Sequence, residues 1–172
     1  MADASRRVGE LDVLSAGELR QLAQWNDTAG EVPAATLAGL FEAQAVRTPD
    51  ADALVCGDVC LSYAELDARA NRLARLLLTR GVGPESYVAV ALPRGVELPV
   101  ALLAVAKTGA AYLPVDPGYP ADRIGYIFDD ARPVCVLTTA DTAPALPVEE
   151  RALLVVDDAA TLAALGGCRA RT

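Results

Sequence analysis

Histidine is missing from this sequence, and its absence removes many kinds of catalytic site. The 172 residues contain no His. Ser–His and Cys–His nucleophile pairs, His general bases and His metal ligands are therefore excluded together. The side chains left for chemistry are thiols, carboxylates, hydroxyls and cations.

The thiols number four: Cys56, Cys60, Cys135 and Cys168. Cys56 and Cys60 flank Gly57-Asp58, a turn signal, so we expect them on the two strands of a hairpin. A disulfide or a metal pair there is one alternative. Zinc needs four ligands, however, and the sequence has no paired CxxC. The pattern therefore favours buried thiols in a reducing compartment.

Sequence signals for phosphate binding are weak. No GxGxxG follows a strand pattern, and GxxxxGK[ST] does not occur. The segment GGCRART, from residue 166 to 172, has glycines and arginines but no lysine, and it does not directly follow a strand pattern. These features disfavour a phosphate site there.

The segment LLVVDD, at residues 153–158, ends an apolar run in two carboxylates, which can hold Mg²⁺ in nucleotide hydrolases. Without a phosphate loop, we expect instead that Asp157 or Asp158 caps the next helix. A phosphoacceptor receiver domain is disfavoured, because Lys107 falls inside a helix pattern and Asp116 is the only candidate acceptor.

Two helices are predicted before the first strands. In LSAGELRQLAQWNDT, Ser15 and Glu18 are spaced as a capping box, and Asn26 begins the stop signal. The apolar side of this helix packs either on its own domain or on something else. Thr36 can cap a second helix, TLAGLFEAQAVRT, which Pro49 ends.

The next segment predicts a small β-hairpin near residues 53–62, followed by a long amphipathic helix. Ser62 and Glu65 form a second capping box, and Gly81 is a natural C-cap. The helix has a predicted apolar face and several arginines, which we interpret as a solvated face. The apolar positions are Leu66, Ala70, Leu73 and Leu77, and the arginines are Arg69, Arg72, Arg75 and Arg80.

Apolar strands then alternate with helices, which predicts an α/β fold with a parallel sheet and right-handed crossovers. The predicted strands are 87–92, 111–116, 133–139 and 152–158, and the predicted helices are 96–108, a helix with Pro120 in its first turn, and 159–165. Lys107 lies near the negative end of its helix. Residues 140–148 are expected to be a loop or a poorly formed helix.

Charge and hydropathy exclude further functions. Hydrophobic residues make up 53% and charged residues 22%, which predicts a globular fold rather than disorder. The net charge of -8 and the lack of a basic stripe argue against nucleic-acid binding. The start MADASRRVGELD lacks the apolar core of a signal peptide, and the run Val96–Ala106 is too short to cross a bilayer. We therefore expect a cytoplasmic protein with no membrane partner.

Three segments together resemble one family. LSYAELDARANRLARLLLTRGV, at 61–82, and AKTGAAYLPVDPGYPADRIGYIFDDA, at 106–131, resemble the first two core motifs of nonribosomal peptide synthetase adenylation domains, within the AMP-binding, acyl-adenylate-forming superfamily. LSAGELRQLAQWNDT resembles the linker that follows a condensation domain. The resemblance implies a linker at 1–33 and, at 34–172, the N-terminal portion of the acyl-adenylate-forming fold, an incomplete adenylation domain.

The resemblance implies that the complete enzyme uses ATP and Mg²⁺ to convert an amino acid to aminoacyl-AMP, and then loads it on the phosphopantetheine of a carrier domain. The implied partners are the remaining adenylation segments, a condensation domain and a carrier domain. The family's Thr/Ser/Gly-rich phosphate loop, amino-acid pocket and lid lysine have no counterpart in these residues. We therefore assign no catalytic, cofactor-binding or metal residue, expect no cofactor for this chain alone, and expect it to be inactive by itself.

Two alternatives to this interpretation stay open: one half of a split adenylation enzyme, and a non-enzymatic docking module of a synthetase.

Structural roles are expected for the motif residues: Ser62 and Glu65 cap a helix, and Asp116 ties down a turn whose prolines are Pro114, Pro117 and Pro120. Apolar surface left exposed would also make the chain marginally stable or prone to self-association.

Overall fold

The computed structural model describes residues 14–32, 34–147 and 153–167. Predictions that fall on residues 1–13 and on Cys168 lie outside these ranges. The chain divides into two compact units, residues 1–34 and 35–172.

The described residues of the first unit form helix α1 (Ala16–Trp25). Its capping box forms as predicted: the Glu18 amide donates to Ser15 Oγ at 3.3 Å, and the Ser15 amide donates to Glu18 Oε2 at 2.7 Å. This backbone hydrogen bond lowers the pKa of the Glu18 carboxyl. The helix ends at Asn26, where the sequence predicted its stop.

The second unit contains the hairpin and the α/β part. Its elements in chain order are α2 (Leu37–Arg47), β1 (Asp52–Cys56), β2 (Val59–Ser62), α3 (Tyr63–Thr79), β3 (Tyr87–Ala91), α4 (Glu97–Thr108), β4 (Ala111–Pro114), α5 (Ala121–Ala131), β5 (Cys135–Thr138), β6 (Leu153–Val155) and α6 (Ala159–Gly167). Of the stretch 140–148, the structure describes residues 140–147, which include a turn of 3-10 helix at Ala143–Ala145.

The predicted hairpin is confirmed: β1 and β2 pair antiparallel. Gly57 has φ 57° in the connecting turn, a conformation that glycine adopts without steric cost. The predicted helix after it is also confirmed. The Glu65 amide donates to Ser62 Oγ at 3.3 Å, and the Ser62 amide donates to Glu65 Oε2 at 2.9 Å, so α3 begins with two of its free amides satisfied.

The main sheet has four parallel strands in the order β4-β3-β5-β6. The α/β fold with a parallel sheet and flanking helices is therefore confirmed. From β3 the chain moves to β4 on one side and then crosses back to β5 on the other side. The reversal places a topological switch point between the carboxyl ends of β3 and β5.

Strand β3 shows how the sequence builds two cores. Val88 and Val90 pack into a cluster with the buried face of α3 and α4, whereas Ala89 and Ala91 pack with Ile124 and Phe128 of α5. Successive side chains of a strand point to opposite faces, so an uninterrupted apolar strand requires cover on both sides. The predicted apolar face of α3, Leu66, Ala70, Leu73 and Leu77, is buried.

Candidate functional site

The carboxyl edge of the sheet is where ligands bind in open α/β folds. At the switch point, Ala91 pairs with Thr138, and the Thr138 side chain is fully buried. Its Oγ1 has no hydrogen-bond partner among the described residues. A buried hydroxyl without a partner costs free energy, so it distinguishes this edge from the apolar remainder of the sheet.

The proline-rich turn after β4 is fixed by its own hydrogen bonds. Asp116 Oδ1 accepts from the Gly118 amide at 2.9 Å, as the sequence predicted. An added Cβ on Gly118 would lie 3.2 Å from that same oxygen, so the turn favours glycine there. The Arg123 guanidinium then lies over the Tyr119 ring, 5.1 Å from its centroid.

Pro120 is displaced by one residue from its predicted position. It is the N-cap of α5, with ψ 142°, and the helix begins at Ala121. An extended ψ places proline just outside the helix, where its missing amide is not needed. The turn therefore positions α5 without contributing a free polar group.

Both carboxylates after β6 are held by backbone amides. Asp157 Oδ1 accepts from the Ala140 amide at 2.8 Å, and Asp158 Oδ1 accepts from the Thr161 amide at 2.5 Å. The bond from Thr161 lowers the pKa of the Asp158 carboxyl. The helix-capping interpretation is therefore confirmed for Asp158, whereas Asp157 ties β6 to the loop after β5. No group of three or more potential metal ligands comes together in the described ranges.

A cavity of about 590 Å³ lies at this same edge, between α3, the first turn of α4 and α6. Its lining combines buried apolar side chains with four charged ones. The lining residues are Arg69, Arg72, Leu73, Glu97, Val100, Val156, Asp157, Leu162, Leu165 and Gly166.

The cavity corrects the interpretation of the α3 arginines as a solvated face. Arg69, Arg72 and Arg75 are half-buried, and the first two line the cavity. Arg80 is exposed but donates to the Leu153 carbonyl at 3.2 Å. The sequence lacked this information because α6 and β6 are distant from α3 along the chain and lie near it only in the folded protein.

A second cluster of charges surrounds Lys107. Its ammonium contacts Glu42 Oε1 of α2 and lies 2.9 Å from Asp67 Oδ1 of α3. Asp67 Oδ2 accepts from Asn71 Nδ2 at 2.7 Å. Oδ1 has the ammonium as its charge partner but no aligned hydrogen-bond donor in the described part of the chain. The sequence predicted only a helix-end position for this lysine, because the two carboxylates come from distant segments.

The hairpin cysteines do not form a disulfide: both are free and exposed. Cys56 pairs with Val59, and Cys60 pairs with Val55. Since Val55 and Cys56 are successive residues, the two thiols point to opposite faces of the hairpin. The expectation that these thiols are buried is wrong for this pair, and it is correct for Cys135.

None of the helices in the described part of the chain combines the length and apolar character needed to cross a membrane.

The profile of the AMP-binding enzyme family matches residues 41–167. A dimodular nonribosomal peptide synthase of Bacillus subtilis (strain 168) is 46% identical over 90% of this chain and 7% of its own length. Enterobactin synthase component F of Escherichia coli (strain K12) is 47% identical over 83% of this chain and 11% of its own length.

Among solved structures, the nonribosomal peptide synthetase FmoA3 (S1046A) superposes with a TM-score of 0.77 at 35% identity. The match covers 86% of this chain and 16% of that protein. The chain thus spans a small part of the relatives that it matches. The chain belongs to the AMP-binding enzyme family, and its sequence and fold are similar to those of nonribosomal peptide synthetases.

Proposed function

We propose that residues 34–172 form the N-terminal part of an adenylation domain that activates an amino acid. The observation that supports this proposal is the match to FmoA3, because sequence and fold agree over 86% of the chain. The complete enzyme would use ATP and Mg²⁺ to form aminoacyl-AMP, and a carrier-domain phosphopantetheine would receive the acyl group.

The residues of this chain serve as scaffold in that reaction. Two residues of the resembling segments, Ser62 and Asp116, accept hydrogen bonds from backbone amides in a cap and a turn. The carboxylates at the sheet edge, Asp157 and Asp158, do the same. Groups committed in this way have structural roles, and the triphosphate and the amino acid would be bound by other adenylation segments.

The first unit has the character of a linker. Helix α1 buries none of its own residues, and Leu19, Leu22 and Trp25 are exposed large hydrophobics. We propose that residues 1–33 connect this domain to a condensation domain, as the resemblance implies. The whole protein would act in the cytoplasm, where ATP is available.

Amino-acid-dependent exchange of pyrophosphate into ATP tests the proposal. The purified 172-residue chain should show no exchange above background, because its sequence has no Gly-rich phosphate loop. A chimera in which residues 41–167 replace the corresponding segment of the Bacillus subtilis synthase should retain exchange.

A control chimera of the same design would carry Gly109→Val. Gly109 has φ 80° at the end of α4, and a Cβ there would lie 3.2 Å from Pro84. This variant should lose exchange through misfolding. Turnover by the isolated chain, or a well-folded but inactive first chimera, would contradict the scaffold role.

A further inference from the structure

The lining of the cavity at the carboxyl edge combines four charged side chains with two groups of apolar ones. We call the buried group, Leu73, Val100 and Val156, the floor, and we call Leu162 and Leu165 of α6 the α6 wall. Helix α6 carries no charged side chain, so its wall is wholly apolar. A volume of about 590 Å³ is in the range of small-molecule sites.

The charges around the cavity are not equivalent. Arg69 lies 3.9 Å from Glu97, and Asp157 Oδ1 is engaged by the Ala140 amide. Arg72, one helical turn after Arg69, has no hydrogen-bond or ion-pair partner among the described residues. Arg72 is therefore the one charged side chain of the lining with neither a hydrogen bond nor an ion pair among the described residues, and it is half-buried.

We propose that this cavity binds a small organic carboxylate with an aliphatic body. A planar guanidinium donates two parallel N–H···O bonds to a carboxylate, which fixes both the charge and the orientation of the ligand. Bound in this way at Arg72, the carboxylate leaves its hydrocarbon part to contact the floor and the α6 wall. Removal of that apolar surface from water supplies the remaining affinity.

A small aliphatic amine is the alternative that the two carboxylates of the lining would suggest. It is disfavoured because Glu97 already has a cationic neighbour in Arg69, and Asp157 already accepts a hydrogen bond from the Ala140 amide. An amine would also place a second cation next to Arg72. The sign of the ligand charge is therefore the feature that the experiment must resolve.

Sodium octanoate and octylamine are suitable probes, since they share a chain length and differ in charge. Calorimetric titration of the 172-residue chain, below the concentration at which either probe forms micelles, should give saturable one-to-one binding of octanoate and much weaker binding of octylamine. Arg72→Gln should weaken octanoate binding by about tenfold. The matched control Arg94→Gln removes an exposed arginine that does not line the cavity and should change it by less than about twofold.

A second variant tests the location of the site rather than its charge. Leu162 is half exposed at the cavity wall, so Leu162→Trp fills the space without burying a new group in the core. The variant should keep the helix content of the native chain and lose octanoate binding. Equal binding of both probes, no saturation, or full binding by Arg72→Gln would overturn the proposal. These measurements involve no adenylation, so their outcome is separate from that of the exchange assay.

Discussion

Lys107 of α4 places a positive charge where α2, α3 and α4 meet and little water has access. Its side chain is 5% exposed, and its two partners are Asp67 at 25% and Glu42 at 52%. Burial of an ammonium is costly unless carboxylates compensate for the lost hydration. The ammonium of Lys107 and its two carboxylate partners therefore connect α2, α3 and α4.

Replacing Lys107 by Met should lower the free energy of unfolding by about 2–4 kcal/mol, because the largely buried Asp67 carboxylate would lose its cationic partner. Urea denaturation followed by circular dichroism measures the loss. Glu42→Gln, the more exposed partner, should cost less than about 1 kcal/mol. The double variant Lys107→Met with Asp67→Leu should recover part of the lost free energy of unfolding. If Lys107→Met alone leaves that free energy unchanged, the ion pair between Lys107 and Asp67 does not stabilise the fold.

The Cys60 thiol is exposed, yet its pKa is raised, first by its hydrogen bond to the Asp52 carboxylate and then by desolvation and nearby negative charge. The thiolate is the reactive form, so alkylation of Cys60 should be slow at neutral pH. Asp52→Asn removes the carboxylate, and we expect iodoacetamide to modify Cys60 severalfold faster in this variant.

Peptide mass spectrometry separates the hairpin thiols in that experiment. Cys56 points to the opposite face and serves as the internal reference, so its rate should be the same in both proteins. A rate increase at both thiols would indicate that the hairpin had loosened, and no increase at Cys60 would contradict the role of Asp52.

At the scale of the element, α3 follows the hairpin directly, and its N-cap belongs to both elements. Ser62 is both the last residue of β2 and the N-cap of α3. Ser62→Ala should lower the free energy of unfolding by about 1 kcal/mol, since the Glu65 amide loses its acceptor. Ser62→Asp keeps an acceptor at the cap and should stay within a few tenths of the native value in the same urea titration. Equal losses in both variants would point to strand β2 instead of the cap.

The elements could be predicted from the sequence wherever one local pattern determined them. The serine–glutamate spacing located the starts of α1 and α3, and the apolar run 87–92 located β3 with cover on both faces. These signals depend on neighbours within one or two turns, so the fold of the whole protein was not needed to read them.

Contacts between elements could not be predicted in the same way. The strand order brings β5 beside β3 although α4, β4 and α5 separate them along the chain. The partners of Lys107 lie 40 and 65 residues away, at Asp67 and Glu42. Arg72 and residues of α6 come to line one cavity only in the folded state. The amino-acid type of a charged residue says little about which distant group will neutralise it, so the cavity and the Lys107 cluster required the structure.

At the scale of the whole molecule, the edges of the main sheet are poor templates for another strand. The Ala111 amide donates to the carbonyl of Ser86, just before β3, and the Val115 amide donates to Val90 of β3. The backbone groups of Tyr112 and Pro114 on β4 therefore face outward, and proline has no amide to offer. On β6 the outward carbonyl of Leu153 is already bonded to Arg80. Association through these edges is therefore disfavoured.

The faces of the second unit are less protected than its edges. Val46 of α2 is 84% exposed and Tyr126 of α5 is 73% exposed, the highest values among its large hydrophobic residues in the described ranges. Exposed apolar side chains promote association when they form patches. We therefore expect the isolated chain to self-associate through helix faces, reversibly and without forming fibrils.

Sedimentation velocity over a concentration series tests this expectation. The double variant Val46→Lys with Tyr126→Lys should shift the distribution toward monomer, because it removes the two most exposed apolar side chains. It also makes the net charge less negative by two, so Ala43→Lys with Thr79→Lys, at two exposed positions on α2 and α3, provides a charge-matched control. If both double variants shift the distribution equally, charge and not apolar contact governs association. A native chain that remains monomeric at every concentration would show that its exposed hydrophobic residues are too scattered to form an interface.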